Sequence, residues 1–502
     1  MKRFAIVFPL IILVLVFSSC NRSGTASQAE GRTDLNLVVL EVFSNMDPHY
    51  LARLVDGLIA YQIYESLFLV EDDQSMTPSL AERYEVSPDG LVYTFHLRRG
   101  VTFCNGDVFT ADDVIFSLER AMTSPVLFTE TEQIESFEKV DDYTVRIRSK
   151  DVSAVFARYV SGIFIVNSRH VQQVGDISEN PCGTGAYMFE SQRRNVNITL
   201  TANENYWRGA PSIKTLNWEI MGNAAAALIS FEAGELDLIS VPSANWEAVK
   251  AQNRWTTELY PLNHVTFILM NNEIPPFNDI RIRQALSHAI NREDMILLAM
   301  DGLAEPALTM ANPNLVFGAT SNVTVYDYNP QRARQLLAEA GYPNGLSIPP
   351  ISTMGGVYFE NVAITLQGAL REIGITANIE VRDSVNYIPS LIAGDYSVGV
   401  IGATLVQDMD AYRQLYHTNA IDNSLNVARF SNARADELFD IGIRTIDTRA
   451  RQAIYAELTE ILQREAPYAP VFYRSQPIAH DRNLNYAHRL SFVLYRQLSW
   501  NN

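Results

Sequence analysis

The histidines and serines of this 502-residue chain lack the spacings that catalysis or metal binding requires. No Gly-x-Ser-x-Gly nucleophile elbow and no His-Glu-x-x-His zinc helix occurs in the sequence. No two histidines stand three or four positions apart, the spacing that brings two ligands to one face of a helix. We therefore expect no catalytic residue, no metal site and no hydrolase activity. The histidines are His49, His96, His170, His264, His288, His417, His480 and His488.

A short glycine-rich segment, Gly183-Thr184-Gly185, is the place where a nucleotide phosphate would be sought. A dinucleotide fingerprint needs a further glycine three positions later, but Met188 stands there. We interpret the glycines as a tight turn and expect no cofactor. Tyr206 and Trp207, further along the chain, are expected to pack in the interior and not to form a ligand platform.

The amino-terminal residues are typical of an exported protein. A basic tip precedes an apolar run, Phe4 to Phe17, that is too short to cross a bilayer comfortably. Two serines then precede Cys20, an ending similar to that of bacterial lipoproteins. We expect residues 1–19 to be a signal peptide and Cys20 to be the lipidated first residue of the mature protein. The alternative is an ordinary signal peptide that is cut elsewhere, with Cys20 lost.

Residues 20–34 are predicted to be a flexible tether, because residues 21–33 contain no aromatic and no branched aliphatic side chain. The roughly 470 residues that follow are too many for one core, so two or three lobes are expected. A net charge of −18 argues against a nucleic-acid partner. In an oxidising compartment, Cys104 and Cys182 either pair as a disulfide or remain as two buried free thiols, and the sequence leaves both options open.

Periodicity and capping residues predict strands and helices that are mixed along the chain. Apolar residues alternate over 93–97, 143–147 and 196–200, which predicts strands. Thr110 starts a capping-box-like segment, and Asn329 precedes Pro330 at the start of another predicted helix that ends at Gly341. Such a mixture predicts α/β lobes. Further helices are predicted from apolar stripes at 282–290, 366–373 and 454–462.

Several short blocks follow one another in the order found in one known family. They are Gly90 to Phe103, with Tyr93-Thr94-Phe95 and Arg99-Gly100-Val101; Asn105-Gly106-Asp107; Thr110 to Ser117; Pro181 to Tyr187; Asn205-Tyr206-Trp207; Gly234 to Asp237; Pro275 to Leu286; Ala333 to Tyr342; and Leu370 to Ile375. Through these blocks the chain resembles the dipeptide- and oligopeptide-binding proteins of ABC importers, the extracellular solute-binding family 5. The resemblance covers nearly all of the chain after the tether.

This resemblance implies an α/β fold of the two-lobe periplasmic-binding-protein class, type II and similar to cluster C, with an extra subdomain in the first lobe. It implies lobe I at 35–264 with the subdomain near 71–180, lobe II at 265–470, and a return to lobe I at 471–502. Hinge closure would bury a short peptide, which the protein would deliver to a membrane permease and its ATPase. We expect a monomeric, non-enzymatic lipoprotein, periplasmic or on the cell surface, that touches the membrane through its lipid only.

A peptide carries an ammonium and a carboxylate, and each needs an opposite charge or several hydrogen bonds when it leaves water. The resemblance implies that an acidic loop of lobe II, which includes Thr404, binds the amine. Asp408 and Asp410 are the nearest carboxylates, although a solvated loop or a helix cap is the alternative. Arg382 is a candidate for the ligand carboxylate, with a surface arginine as the alternative.

Further candidates come from two other stretches. The loop after the first strand faces the cleft in the family, which makes Ser44, Asn45 and Met46 candidate contacts. Tyr358 and Tyr387 are candidate pocket walls, with core packing as the alternative. The cargo also remains open, because an oligosaccharide, a nickel complex, haem or another small solute is the alternative to a peptide. A signalling receptor that shares the clamp is a further alternative.

Overall fold

The computed structural model describes residues 31–501 apart from 44, 52–53, 72–74, 125, 312–322, 405–408, 423 and 488–492. Strands and helices are mixed along the whole of this part of the chain, as the sequence predicts. The strands are β1 (Asp34–Val39), β2 (Phe68–Val70), β3 (Met76–Pro78), β4 (Ala81–Val86), β5 (Val92–Leu97), β6 (Ile134–Asp141), β7 (Thr144–Ser149), β8 (Tyr187–Arg193), β9 (Asn197–Ala202), β10 (Thr215–Ile220), β11 (Leu238–Ser240), β12 (Thr256–Met270), β13 (Ala304–Pro306), β14 (Leu346–Ser347), β15 (Ile351–Met354), β16 (Ile375–Thr376), β17 (Ile379–Arg382), β18 (Val398–Thr404), β19 (Tyr468–His480), β20 (Leu484–Asn485) and β21 (Ser499–Trp500).

Helices cover the sheets and link their strands. They are α1 (Leu54–Ile63), α2 (Ala111–Ala121), α3 (Phe128–Thr131), α4 (Phe156–Gly162), α5 (Ser168–Val174), α6 (Ala224–Ala233), α7 (Trp246–Gln252), α8 (Ile280–Ala289), α9 (Arg292–Met300), α10 (Pro330–Glu339), α11 (Val357–Glu372), α12 (Ser384–Ile392), α13 (Arg413–Tyr416), α14 (Ala433–Arg444) and α15 (Thr448–Glu465). Within the described residues, no helix is both long enough and apolar enough to cross a bilayer.

Local sequence signals place several of these elements correctly. The predicted capping box is confirmed at α2, where Thr110 and Asp113 bond reciprocally. The predicted start of α10 is confirmed as well, because the Asn329 side chain accepts from the Arg332 N–H and Pro330 takes the first helical position. The predicted alternating strands are confirmed as β5, β7 and β9.

Three larger sheets organise the chain. One has the order β1-β10-β9-β8, and a second has the order β4-β5-β7-β6. The third has the order β11-β19-β12-β18-β15-β17, with β13 paired to β19. The two long strands of the third sheet, β12 and β19, run antiparallel along much of their length.

The hydrophobic cores fall into two groups, and the chain passes between these groups along β12 and β19. We call this passage the crossover. Two clusters draw their buried residues from within 35–238 and 478–498. Two others draw theirs from within 265–473. A smaller cluster, which includes Ala227, Leu303 and Ala479, joins residues from both sides. The division of the cores therefore falls where the chain passes along β12 and β19, and the lobe boundaries given by the resemblance stay a prediction.

At this crossover the pairing of β12 with β19 changes register. Thr256 to Pro261 pair with His480 to Ser475, and the register then shifts before Val265 pairs with Tyr473. Beyond the shift, β12 also pairs with β18, from His264 opposite Thr404 to Met270 opposite Val398. An irregularity of this kind bends a strand and redirects its side chains. Residues 261–264 and 474–475 therefore lie between the two groups of cores.

Candidate ligand-binding site

Five polar side chains meet at this crossover, and we refer to them together as the crossover cluster. His264 and Thr266 lie on β12, Thr404 on β18, Arg474 on β19, and Tyr358 in the first turn of α11. Successive side chains of a strand point to opposite faces, so His264 and Thr266 share one face of β12. The strand register sets His264 opposite Thr404 and Val265 opposite Tyr473.

The opposite face of the same strand segment is apolar. Val265, Phe267 and Leu269 are buried in a hydrophobic core together with Tyr473. That packing fixes the backbone of β12 and β19, and a fixed backbone holds the polar side chains of the other face in place. The crossover cluster therefore rests on a rigid sheet and not on a loop.

His264 is held in the neutral form. Its Nδ1 lies 2.9 Å from the Thr404 hydroxyl oxygen, and the two groups are hydrogen-bonded. Burial, and secondly the positive charge of Arg474, lowers the pKa of His264 to about 4. A Cβ on residue 402 would come within 2.3 Å of His264 Nε2, so only glycine at this position leaves room for the ring. Gly402 thus allows the imidazole to lie against the backbone of β18.

Arg474 lies with its guanidinium over the ring of Tyr358, at 5.0 Å from the ring centroid. Tyr358 is hydrogen-bonded through its hydroxyl to Thr266, and burial raises the pKa of Tyr358. Arg474 Nε is buried and has no hydrogen-bond partner in the described part of the chain. Among the ion pairs that the described residues form, none involves Arg474.

The crossover cluster therefore combines one cation with neutral hydrogen-bonding groups and an aromatic ring. Such a set suits a solute that carries a negative group and polar atoms. No three or more His, Cys, Asp or Glu side chains of the described residues are grouped to hold a metal ion. The described side chains here can bind and orient a solute.

The stretch after the first strand is only partly available to a ligand. Met46 is buried in a hydrophobic core, so its side chain packs inside the protein. Asn45 is half-buried, and its side chain accepts from the Asp47 N–H and donates to the Tyr50 carbonyl. Asp47 is buried and forms a bidentate ion pair with Arg120 of α2. No local pattern in the sequence predicts this long-range pair.

Two of the other candidates are occupied by internal partners. Tyr387 is almost fully buried, and its hydroxyl donates to the carbonyl oxygens of Ser352 and Val400. Arg382 pairs with Glu380 and Asp395 beside the outer strand of the sheet. Tyr387 therefore acts as a core residue, and the charge of Arg382 is balanced by carboxylates of the protein.

Asp410 is enclosed in the protein. Its carboxylate pairs with Arg451 and accepts from the Tyr455 hydroxyl, and the side chains of Asp410 and Arg451 are 2% and 4% exposed. A carboxylate in this position has both its charge and its lone pairs engaged. Tyr358 and Thr404, two of the candidates named from the sequence, lie in the crossover cluster.

Three predicted positions, Cys20, Ser44 and Asp408, lie outside the described residues. Cys104 and Cys182 form a disulfide, with Cα atoms 5.4 Å apart. The sequence predicts that Gly183 and Gly185 permit a tight turn, and the structure shows a further reason for glycine at these positions. A Cβ at Gly183 or Gly185 would lie 2.1 or 2.3 Å from carbonyl oxygens of α1, so glycine permits close backbone packing there.

The sequence reading missed His264, Thr266 and Arg474. A signal was present for the first two, because polar His264 and Thr266 alternate with apolar Val265 and Phe267. That alternation predicts a strand with one polar face inside an otherwise apolar region. Arg474 had no such signal, since only the pairing of β19 with β12 brings it to His264.

Comparison with known proteins identifies the family. Residues 75–424 match the family described as bacterial extracellular solute-binding proteins, family 5 Middle. The chain is 29% identical to heme-binding protein A of Haemophilus influenzae over 510 residues, covering 92% of each chain. It is 28% identical to the glutathione-binding protein GsiB of Salmonella choleraesuis over 470 residues, covering 90% of this chain and 91% of the other.

A solved structure agrees with this result. The periplasmic binding protein DppA of Helicobacter pylori, in complex with the peptide STSA, has a TM-score of 0.78 and 25% identity, with 93% of this chain and 98% of the other covered. The predicted fold class, a mixed α/β protein of the type II periplasmic-binding class, is confirmed. The chain belongs to the bacterial extracellular solute-binding proteins of family 5, which are substrate-binding components of ABC importers and not enzymes.

Proposed function

We propose that this protein captures short peptides in a cleft at the crossover of β12 and β19 and delivers them to an ABC permease with its ATPase. The observation that carries the proposal is the crossover cluster, which offers a cation and neutral hydrogen-bonding groups on one sheet and an aromatic ring on the adjoining α11. A peptide has a charged end and regularly spaced polar groups that fit such a set.

Two kinds of relative support a peptide cargo. One relative is named for glutathione, itself a short peptide, and one structural neighbour is described in complex with a peptide. One relative is named for heme, so haemin is included among the alternative ligands of the thermal unfolding test.

Closure of two lobes around the ligand is part of the proposal. The lobes correspond to residues 35–264 with 471–502, and to residues 265–470. A contact between them supports a closed arrangement, because the Ala154 N–H donates to the Ile443 carbonyl at 2.7 Å. The ligand would lie between this contact and the crossover, shielded from water. Tyr358, Thr404 and Arg474 are the proposed ligand contacts.

The export signal and lipid anchor complete the proposal. Residues 1–19 would be removed, and Cys20 would carry the lipid that holds a monomeric binding protein at the membrane through the 20–34 tether. The proposed location is periplasmic or on the cell surface. Metabolic labelling with a fatty acid tests this: wild type is expected to incorporate the label, and Cys20→Ser is expected to lose it.

Thermal unfolding tests the cargo. A pool of tri- to pentapeptides is expected to raise Tm, because a ligand that binds only the folded protein stabilises it by about 2.7 kcal/mol at a hundredfold excess over Kd. Cello- and manno-oligosaccharides, haemin and nickel–histidine are expected to leave Tm unchanged. A Tm rise with any of these and none with peptides would replace the cargo assignment while leaving the family intact.

A further inference from the structure

We propose that Arg474 binds a carboxylate of the solute, so that the protein selects peptides with a free carboxyl end at the crossover. The inference rests on the proposed peptide capture and adds the chemical group that is recognised and the residue that recognises it. It depends on a contrast between Arg474 and four other arginines of the described chain, Arg120, Arg283, Arg292 and Arg451.

Those other arginines are satisfied within the protein. Arg120 and Arg451 each pair with a buried aspartate. Arg283 donates to the carbonyls of Glu465 and Phe277, and Arg292 donates to three backbone carbonyls. Each of these guanidinium groups donates to acceptors that replace water, and these bonds hold loops and helices together.

Arg474 differs from all of these. Its Nε is buried without a hydrogen-bond partner among the described residues, and its guanidinium face is stacked on Tyr358. A polar atom that is buried without an acceptor costs free energy, and a ligand that supplies the acceptor removes that cost. The stacking on Tyr358 also fixes the plane of the guanidinium, which prepares it for a planar partner.

The neighbours of Arg474 favour an anion. His264 is neutral near pH 7, because its pKa is lowered to about 4, so the described crossover cluster carries the single positive charge of Arg474. Thr404 and Thr266 offer hydroxyl groups, and no carboxylate belongs to the cluster. A carboxylate matches the fork of a guanidinium with two parallel hydrogen bonds.

Two sources can supply that carboxylate, the carboxyl end of a peptide or an acidic side chain. Three pools of tri- to pentapeptides distinguish them: one without Asp or Glu and with free carboxyl ends, the same pool with amidated ends, and an amidated pool that contains Glu. Binding is measured by titration calorimetry. Wild type is expected to bind the free-acid pool about 10- to 100-fold more tightly than the first amidated pool. Recovery of tight binding with the Glu pool would assign the site to side chains and overturn the selection of free carboxyl ends.

Substitution of Arg474 provides the decisive readout. Arg474→Gln is expected to weaken free-acid binding about 10- to 100-fold and to abolish the difference between the free and amidated pools. Arg474→Lys is expected to retain part of that difference, because it keeps the charge and loses the fork. If Arg474 had only a structural role, its substitution would lower the affinity for the free and the amidated pools alike.

Controls separate the possible failures. Arg332→Gln, in an exposed ion pair on α10, is expected to leave both affinities unchanged. Arg382→Gln tests the arginine that the sequence suggested for this role, and loss of carboxylate preference there and not at Arg474 would overturn the inference. If wild type and Arg474→Gln bind free and amidated pools equally, the inference fails and peptide capture stands. If no pool binds to wild type, peptide capture itself fails.

Discussion

The buried charges of the hydrophobic cores and the charge of the crossover cluster are balanced in different ways. Before β12 in the chain, Glu65 accepts from Thr184, Tyr206 and Trp207 at 2.7–3.0 Å. Between β12 and β19, Asp410 is enclosed with Arg451 and Tyr455. At the crossover, Arg474 has a ring beneath it and a buried nitrogen without an acceptor in the described chain.

This difference distinguishes polar groups that stabilise the fold from polar groups that are available to bind a ligand. A buried group whose hydrogen bonds are complete contributes to the uniqueness and stability of its surroundings, and its removal leaves partners unsatisfied. A group with incomplete hydrogen bonds contributes little to stability, and its removal mainly lowers the affinity for the ligand. The predictions below test this separation, together with the tests of cargo and of Arg474 above.

The largest expected effect is on the Asp410 ion pair. Asp410→Ala removes the partner of buried Arg451, and an uncompensated buried charge destabilises a protein by about 3–5 kcal/mol. Chemical denaturation followed by circular dichroism measures this loss. The matched control is Asp395→Ala, which breaks a largely exposed pair with Arg382 and is expected to cost about 0–1 kcal/mol. Equal stability of the two variants would contradict the assignment of Asp410 to the core.

A smaller effect is expected at Gly402. In Gly402→Ala the new methyl group overlaps the His264 ring, and accommodating it is expected to cost about 1–3 kcal/mol. Peptide affinity is expected to fall as well, because His264 and Thr404 shift together. Gly222→Ala is the matched control, since a Cβ there meets no atom within 4 Å. Unaltered stability and affinity in Gly402→Ala would show that the ring has room to move.

The third effect concerns pH. The pKa of His264 is about 4 in the folded protein and 6.5 when the histidine is fully solvated, so the unfolded chain binds more protons between these values. Stability is therefore expected to fall as pH is lowered from 6.5 to 4. His49 adds to the same trend, because burial lowers its pKa to about 4 too. Denaturation midpoints measured across this range should depend less steeply on pH in His264→Gln, and an unchanged slope would count against a buried neutral His264.

Local features of the sequence predicted much of the fold. Thr110, Asn329 and Pro330 carry their capping information within a few residues, and alternation identified β5, β7 and β9 directly. The family followed from short blocks in a fixed order. These signals succeed because capping and strand pleating depend on neighbours in the chain.

The candidate site was predicted less well, because its contacts join distant residues. His264 and Thr404 are 140 positions apart, and Asp47 and Arg120 are 73 positions apart. Residue type alone also does not show whether a side chain faces the crossover or the core. Tyr358 and Tyr387 were equal candidates in the sequence, yet Tyr358 stacks with Arg474 and Tyr387 donates to two backbone carbonyls in the core. The packing of α11 and α12 against the sheet, and not residue type, distinguishes the two tyrosines.

The most direct measurement is mass spectrometry of the solute that copurifies with the full-length protein and is released by denaturation. Capture at the crossover predicts short peptides, in stoichiometric amount for wild type and depleted for Arg474→Gln. Release of an oligosaccharide, haem or a nickel complex, with no peptide present, would contradict it.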